Sequence, residues 1–211
     1  MLILNKNILT IGGNRLECVH LTPPTPPGPI PLPPNTVRVR TNDSNVPAIA
    51  SYSGATYETA TLVSGTTDVY DVYKSGSSFN KLIYYSRNVV EIIGVNITGI
   101  TDVSYMFGGT SITTVPLFDT SEVTNMMGMF SDCYSLTSIP LYNTSKVSNI
   151  NTAFYHCYKV ESGALALYQQ ASSQAIPPSK HSRTFEGCGR DTTTGSAEVA
   201  QIPSDWGGTG A

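Results

Sequence analysis

Charge is scarce in this sequence. Only 13 % of its 211 residues are Asp, Glu, Lys or Arg, and 12 basic against 15 acidic residues leave a net charge of −3. Binding along a nucleic-acid backbone draws on clustered Lys and Arg, so nucleic acid is not an expected partner. Long apolar runs are missing as well. No stretch reaches the roughly 18 residues that a membrane-spanning helix needs, and no membrane insertion is expected. Close cysteine pairs of the kind that hold zinc are absent, as are a GxSxG elbow, an HExxH helix, a P-loop and a dinucleotide fingerprint. No catalytic, cofactor-binding or metal-binding residue is therefore assigned, and the chain is not expected to be an enzyme. The three histidines, His20, His156 and His181, stand in unrelated contexts. Asp68 and Asp71 in TTDVYDVY could be offered as paired carboxylates for glycoside hydrolysis, but the favoured reading is solvated strand or turn residues, since nothing in the sequence marks a cleft. The triplets at Asn42, Asn96 and Asn143 match glycosylation sequons, which carry little weight in a chain this rich in Ser and Thr. The opening MLILNKNILTIGGNRLECVHL fails as a secretory signal, because Asn5, Lys6 and Asn7 interrupt its apolar stretch and no small-residue cleavage site follows.

What the chain does have is repetition. NVVEIIGVNITGITDVSYMFGGT from Asn88 registers with SITTVPLFDTSEVTNMMGMFSDCY from Ser111 and SLTSIPLYNTSKVSNINTAFYHCY from Ser135. A unit of 23–24 residues cannot bury its own apolar face, so copies must stack into one continuous core. Val89, Ile92 and Gly94 correspond to Ile112, Val115 and Leu117 and to Leu136, Ile139 and Leu141, the LxxLxL spacing of a repeat strand with these side chains inward. Ile100, Val103 and Phe107 then match Val123, Met126 and Phe130, and Val147, Ile150 and Phe154, whose spacing of three and then four predicts a helical turn or two. Asp119-Thr120-Ser121 and Asn143-Thr144-Ser145 supply short side-chain oxygens where such a helix must start. The expected fold is a β-rich, leucine-rich-repeat-like solenoid. Each coil holds a short strand and a short α or 3-10 segment, with capping elements and an extended N-terminal arm.

Five segments follow from this. Residues 1–20 alternate as strands around Gly12-Gly13 and form an attachment hairpin, whose apolar Leu2, Leu4, Ile8, Leu9 and Ile11 are the candidate contacts to a larger particle. Residues 21–35 hold eight prolines between Pro23 and Pro34 and read as a semi-rigid polyproline II linker. Residues 36–86 contain VRVR, ATYETATLV, DVYDVYKSG and KLIYY, which alternate as strands and cap the first coil. Residues 87–158 are the repeats. Residues 159–211 carry a helix over about 162–172, ended by Pro177-Pro178, then a repeat remnant with Phe185 and Cys188, and close the array.

Cys133 and Cys157 share a repeat position, with Cys188 a third member, and this column reads most simply as buried thiols. A disulfide between neighbouring coils, or a metal site recruiting His156 or His181, is the alternative. Cys18 lies outside the repeat. The candidate binding surface consists of aromatics recurring at one repeat's spacing, Phe118 with Tyr142 and Tyr134 with Tyr158. Exposed, they form a stripe able to stack on sugars or anchor a protein interface; buried, they are a packing ladder.

The phrases VPLFDTSEVTNMMGMFSDCYSLTSIPLYNTSKVSNINTAFYHCY resemble the BspA-type leucine-rich repeats of bacterial surface proteins and of phage-encoded structural proteins. The resemblance runs over residues 87–190 through the D/N-T-S, V-x-N and M/A-F-x-x-C elements. It implies a solenoid for adhesion or protein contact, without enzymatic activity or cofactor. The N-terminal hook and proline spacer are similar to phage fibre or decoration proteins, which dock by a short N-terminus. The expected role is thus a phage virion structural protein on the particle's outer surface. It would hold virion proteins at one end and a host-surface protein or glycan at the other, with a homotrimer compatible with a fibre. A bacterial cell-surface or secreted adhesion module is the alternative.

Overall fold

A computed structural model describes residues 32–47 and 56–210, together with three strands within the first seventeen residues. These strands, β1 (Ile3–Asn5), β2 (Ile8–Ile11) and β3 (Asn14–Glu17), form an antiparallel sheet in the order β1-β2-β3. Leu4 sits opposite Leu9, and Ile11 opposite Asn14 across the two-residue Gly12-Gly13 connection. The expected hairpin is thus a three-stranded meander. Of the candidate attachment residues, Leu4, Ile8, Leu9 and Ile11 lie on β1 and β2, whereas Leu2, Cys18, His20 and the linker up to Pro31 lie outside the described residues. The chain divides into two compact units, residues 1–31 and 32–211.

The second unit is β-rich, with one antiparallel four-stranded sheet and two helices. β4 (Thr36–Thr41), β5 (Thr59–Leu62), β6 (Val69–Tyr73) and β7 (Val89–Asn96) line up as β5-β6-β4-β7. Alternation sends Val37, Val39 and Val72 inward. On the other face Arg38 stands opposite Asp71 in register and donates two hydrogen bonds to its carboxylate, at 2.7 and 2.8 Å. Arg40 bridges Asp68 and Glu91. The carboxylates of TTDVYDVY are cross-strand ion-pair partners.

β7 opens the first repeat copy, and from there the copies lie side by side. Single parallel bridges join Ser78 to Asp102, Asp102 to Asn125, Asn125 to Asn149 and Asn149 to Lys180. The backbone divides its N–H groups between two jobs. Met106, Gly108 and Thr110 donate three residues back, to Val103, Tyr105 and Phe107. The residues between, Val103, Tyr105, Phe107 and Gly109, donate across to Asn125, Met127, Met129 and Ser131 of the next copy at 2.7–2.9 Å. The same division recurs before and after. Phe79, Lys81, Ile83 and Tyr85 donate to the first copy, and Ile150, Thr152, Phe154 and His156 donate to residues 180–186.

Left-handed residues make this possible. Lys81, Tyr105, Gly128, Thr152 and Arg183 occupy one column at positive φ, and Tyr85, Gly109, Asp132, His156 and Gly187 another. Each is the third residue of a three-back turn, where a type II turn requires positive φ. The expected helical segment is therefore replaced by consecutive turns. Spacing of three and then four turns side chains inward in either case, but a helix keeps every N–H within its own strand of chain. Among the described residues, 97–163 hold neither a helix nor a strand longer than a single bridge. Asp119 and Asn143 still cap as foreseen, accepting from Ser121 N–H and Ser145 N–H at 2.9 Å, yet what they start is a turn.

The inward positions are filled as the repeat predicts, with one exception per copy. Ile112, Val115, Leu136 and Ile139 are buried, but Leu117 and Leu141 are 66 % and 52 % exposed. Tyr142 N–H bonds to Pro140 C=O two residues back, a γ-turn around Leu141 that brings Tyr142 inward instead. Phe107, Phe130, Phe154 and Phe185 stack with centroids 5.4, 5.5 and 5.8 Å apart and planes within 19°. KLIYY, expected as a strand, is instead an additional turn pass whose Leu82 and Ile83 are fully buried. At the far end come α1 (Ala164–Ser172), close to the expected helix, α2 (Thr193–Val199) and a 3-10 turn at Ser204–Trp206. Thr192 caps α2 by accepting from Gly195 N–H. Trp206 C=O accepts from Phe185 N–H, so the last pass ends on protein and not on open backbone.

Gly128 tests the left-handed columns. Its φ is +60°, and an added Cβ would fall 2.2 Å from the Tyr105 ring. Gly128→Ala is expected to cost about 1–2 kcal/mol from the backbone alone, and more because Tyr105 must move. Gly65, at φ +80° with nothing near a Cβ, is the control. Urea unfolding should show a larger loss at Gly128 than at Gly65, and equal losses would remove the ring contact from the account.

Candidate functional site

The two left-handed columns and the column after them build one aromatic face, and small residues make room for it. Gly108 and Gly109 stand where a Cβ would meet the Tyr84 and Tyr85 rings at 2.8–2.9 Å, so the tyrosine pair of one pass lies across the glycine pair of the next. Tyr85 spans that gap and donates to Asp132 Oδ2 at 3.1 Å. Tyr134 donates to Asp132 Oδ1 at 3.2 Å, and His156 Nδ1 lies 3.3 Å from the same oxygen. Tyr134 and Tyr158 stack at 5.3 Å, and Tyr84 meets Tyr105 edge-on at 5.3 Å. Cations cover the rings. Arg190 sits 3.7 Å from the Tyr158 centroid, Arg183 4.6 Å from Tyr155, and Arg87 5.1 Å from both Tyr85 and Tyr134. Each distance is within cation–π range.

The electrostatics follow from this packing. Burial, then the charge of Asp132, pushes the Tyr85 phenol up, and the same causes in the same order raise Tyr134. Arg183 donates to both oxygens of Glu186 and holds that carboxyl below its ordinary range. The Tyr85 and Tyr134 hydroxyls are committed to Asp132, and Arg183 and Arg190 to Glu186 and Asp191, so what the face offers outward is ring edges and the guanidinium of Arg87.

The four aromatics proposed from sequence separate into two roles. Tyr134 and Tyr158 belong to this face, and Tyr134 is 38 % exposed. Phe118 and Tyr142 do not, because the γ-turn carries Tyr142 inside, where it packs 5.0 Å from Phe118 and 6.0 Å from Phe130. Both are buried, so the stripe reading is corrected for this pair. Tyr84, Tyr85, Tyr105, Tyr155 and Arg87 were missed. Their trace in the sequence is Tyr84-Tyr85 lying one repeat ahead of Gly108-Gly109.

Cys133, Cys157 and Cys188 are buried free thiols. Cys133 and Cys157 donate to Phe107 C=O and Phe130 C=O at 3.2 Å, and burial pushes the Cys133 thiol up to about 11. Neither the disulfide nor the metal alternative describes them, and no group of three or more His, Cys, Asp or Glu gathers among the described residues. His181 stacks on Trp206 at 4.4 Å and lies 3.3 Å from Asp205.

Residues 68–176, just over half of the chain, match the family model described as Mycoplasma protein of unknown function, DUF285. The chain belongs to this family. No curated protein and no solved structure matches it. The DUF285 segment takes in the stacked passes from β6 to just past α1, and with them Asp132 and every ring of the face.

Two outcomes check the assignments. The Tyr142 hydroxyl is buried with no hydrogen-bond partner among the described residues. Tyr142→Phe should therefore leave stability unchanged or raise it, since an unsatisfied buried hydroxyl is unfavourable. Tyr142→Ala should cost about 3–5 kcal/mol, as large core truncations do; both are read by thermal melting. The second concerns alkaline pH. A tyrosine whose folded pKa is raised stabilises the fold fully below the unfolded value of about 10 and loses that contribution as pH rises from there towards the folded value. Stability should fall above about pH 10, and Tyr85→Phe should flatten the fall. An unchanged alkaline limb would show that Tyr85 is not held neutral by its surroundings.

Proposed function

We propose that the stacked passes are a leucine-rich-repeat-like solenoid, of the kind the BspA resemblance implies, and that this solenoid is a non-enzymatic binding module. The observation that supports it most is the Tyr–Arg face, since tyrosine and arginine anchor interfaces in well-packed patches. On this reading the N-terminal three-stranded unit docks onto a phage particle, and the face binds a host protein or glycan. Virion proteins are the partners at the N-terminus, and trimerisation suits a fibre subunit.

Membership of a family named for Mycoplasma proteins favours a second reading, a bacterial cell-surface or secreted adhesion module carrying the same face. Mass spectrometry of purified phage particles and of host surface fractions distinguishes the two. Stoichiometric peptides in the particle are the expected result. Peptides confined to the host surface fraction would replace the virion reading with the adhesin.

A further inference from the structure

Five arginines lie among the described residues of the second unit, and four of them are paired. Arg38 binds Asp71, Arg40 binds Asp68 and Glu91, Arg183 binds Glu186, and Arg190 binds Asp191. Arg87 is exposed and has no carboxylate within ion-pair distance among the described residues. The repeat explains how it is held. Arg87, Tyr134 and Tyr158 occupy one column, and the copy between Arg87 and Tyr134 is one residue short just before Ser111 and places no side chain there, so the Arg87 guanidinium lies against Tyr134 as well as Tyr85. Ser111 Oγ donates to Arg87 C=O at 2.7 Å and fixes the backbone at that point. Asp132, an anion of the same face, has its oxygens occupied by the Tyr85 and Tyr134 hydroxyls, which keep it as the scaffold of the two rings.

We infer that Arg87, clamped between Tyr85 and Tyr134, is a carboxylate-recognition site, and that its ligand is an Asp or Glu side chain of a protein partner. Arg87 lies over both rings and turns toward the Tyr134 hydroxyl, but a guanidinium carries five N–H groups, and two of those not paired with a carboxylate can match one with two parallel hydrogen bonds. Less freedom is lost on binding than for a mobile side chain. The ring faces themselves argue against a sugar. Tyr134 and Tyr158 face each other, Tyr158 is covered by Arg190, and Tyr155 lies between His156 at 3.5 Å and Arg183, so few faces remain for a pyranose to stack on.

This inference rests on the reading of the face as a binding surface and not on where the chain resides, so particle fractionation and the following experiment fail separately. The full chain is titrated with an oligoglutamate peptide and with oligogalacturonate at low salt, by calorimetry. Oligoglutamate should bind, weaken as salt rises, and bind about tenfold less tightly to Arg87→Gln at unchanged melting temperature. Arg87→Lys, which keeps the charge without the planar fork, should recover only part of the affinity. Arg190→Gln should have a smaller effect, because Asp191 already holds that guanidinium. No binding to the wild-type chain, undiminished binding to Arg87→Gln, or an equal loss at Arg190 would overturn the site. Preference for oligogalacturonate would overturn the protein partner in favour of an acidic glycan.

Discussion

The structure depends on how each turn pass shares out its backbone N–H groups. One residue donates backwards within its own turn and the next donates across to the following copy, so half of the hydrogen bonding is local and half joins copies. A buried backbone amide without a partner is costly, and a single copy would leave every second one unmet. This makes the copies interdependent in the way expected of stacked repeats. The arrangement is available only because a left-handed residue recurs at the third position of each turn. Glycine takes that position freely at 109, 128 and 187, whereas Tyr85, Tyr105 and His156 take it at a cost of about 1–2 kcal/mol each.

That cost places aromatic side chains on the outside. In a right-handed turn a tyrosine two residues from a core phenylalanine would point elsewhere, but the left-handed residue turns its ring along the surface and over the neighbouring copy. There it meets a glycine: Tyr85 over Gly109, Tyr105 over Gly128. Core and face are thus two products of one backbone. Inside, phenylalanines stack at about the spacing of the hydrogen-bonded copies; outside, tyrosines and arginines interleave over the same ladder.

The inward positions were legible in the sequence because they recur, and Val103, Met126, Ile150 and the phenylalanine column are buried as their spacing implies. The local conformation was not, since a helix and a series of turns send the same residues inward and differ only in where alternate N–H groups go. Leu141 misled because proline followed by a γ-turn shifts the inward position by one, to Tyr142, and at Leu117 the inward position is likewise the next residue, Phe118. The earliest pass went unseen because Phe79, Leu82 and Ile83 carry the core pattern without the D/N-T-S or V-x-N elements that mark the other copies. Of the six tyrosines of the face, Tyr134 and Tyr158 were legible. The rest depends on which side of the backbone Tyr84, Tyr85 and Arg87 leave, and that is set by φ and by the small residues one repeat away.

The measurement that tests the shared ladder most directly is amide hydrogen exchange resolved to single residues. Tyr105, Phe107, Gly109, Gly128, Phe130 and Asp132 donate between copies, and they should exchange slowly, with one common opening free energy close to that of global unfolding. Fast exchange at these residues, or protection in each copy that falls away independently of its neighbours, would contradict an array held together by bonds between copies.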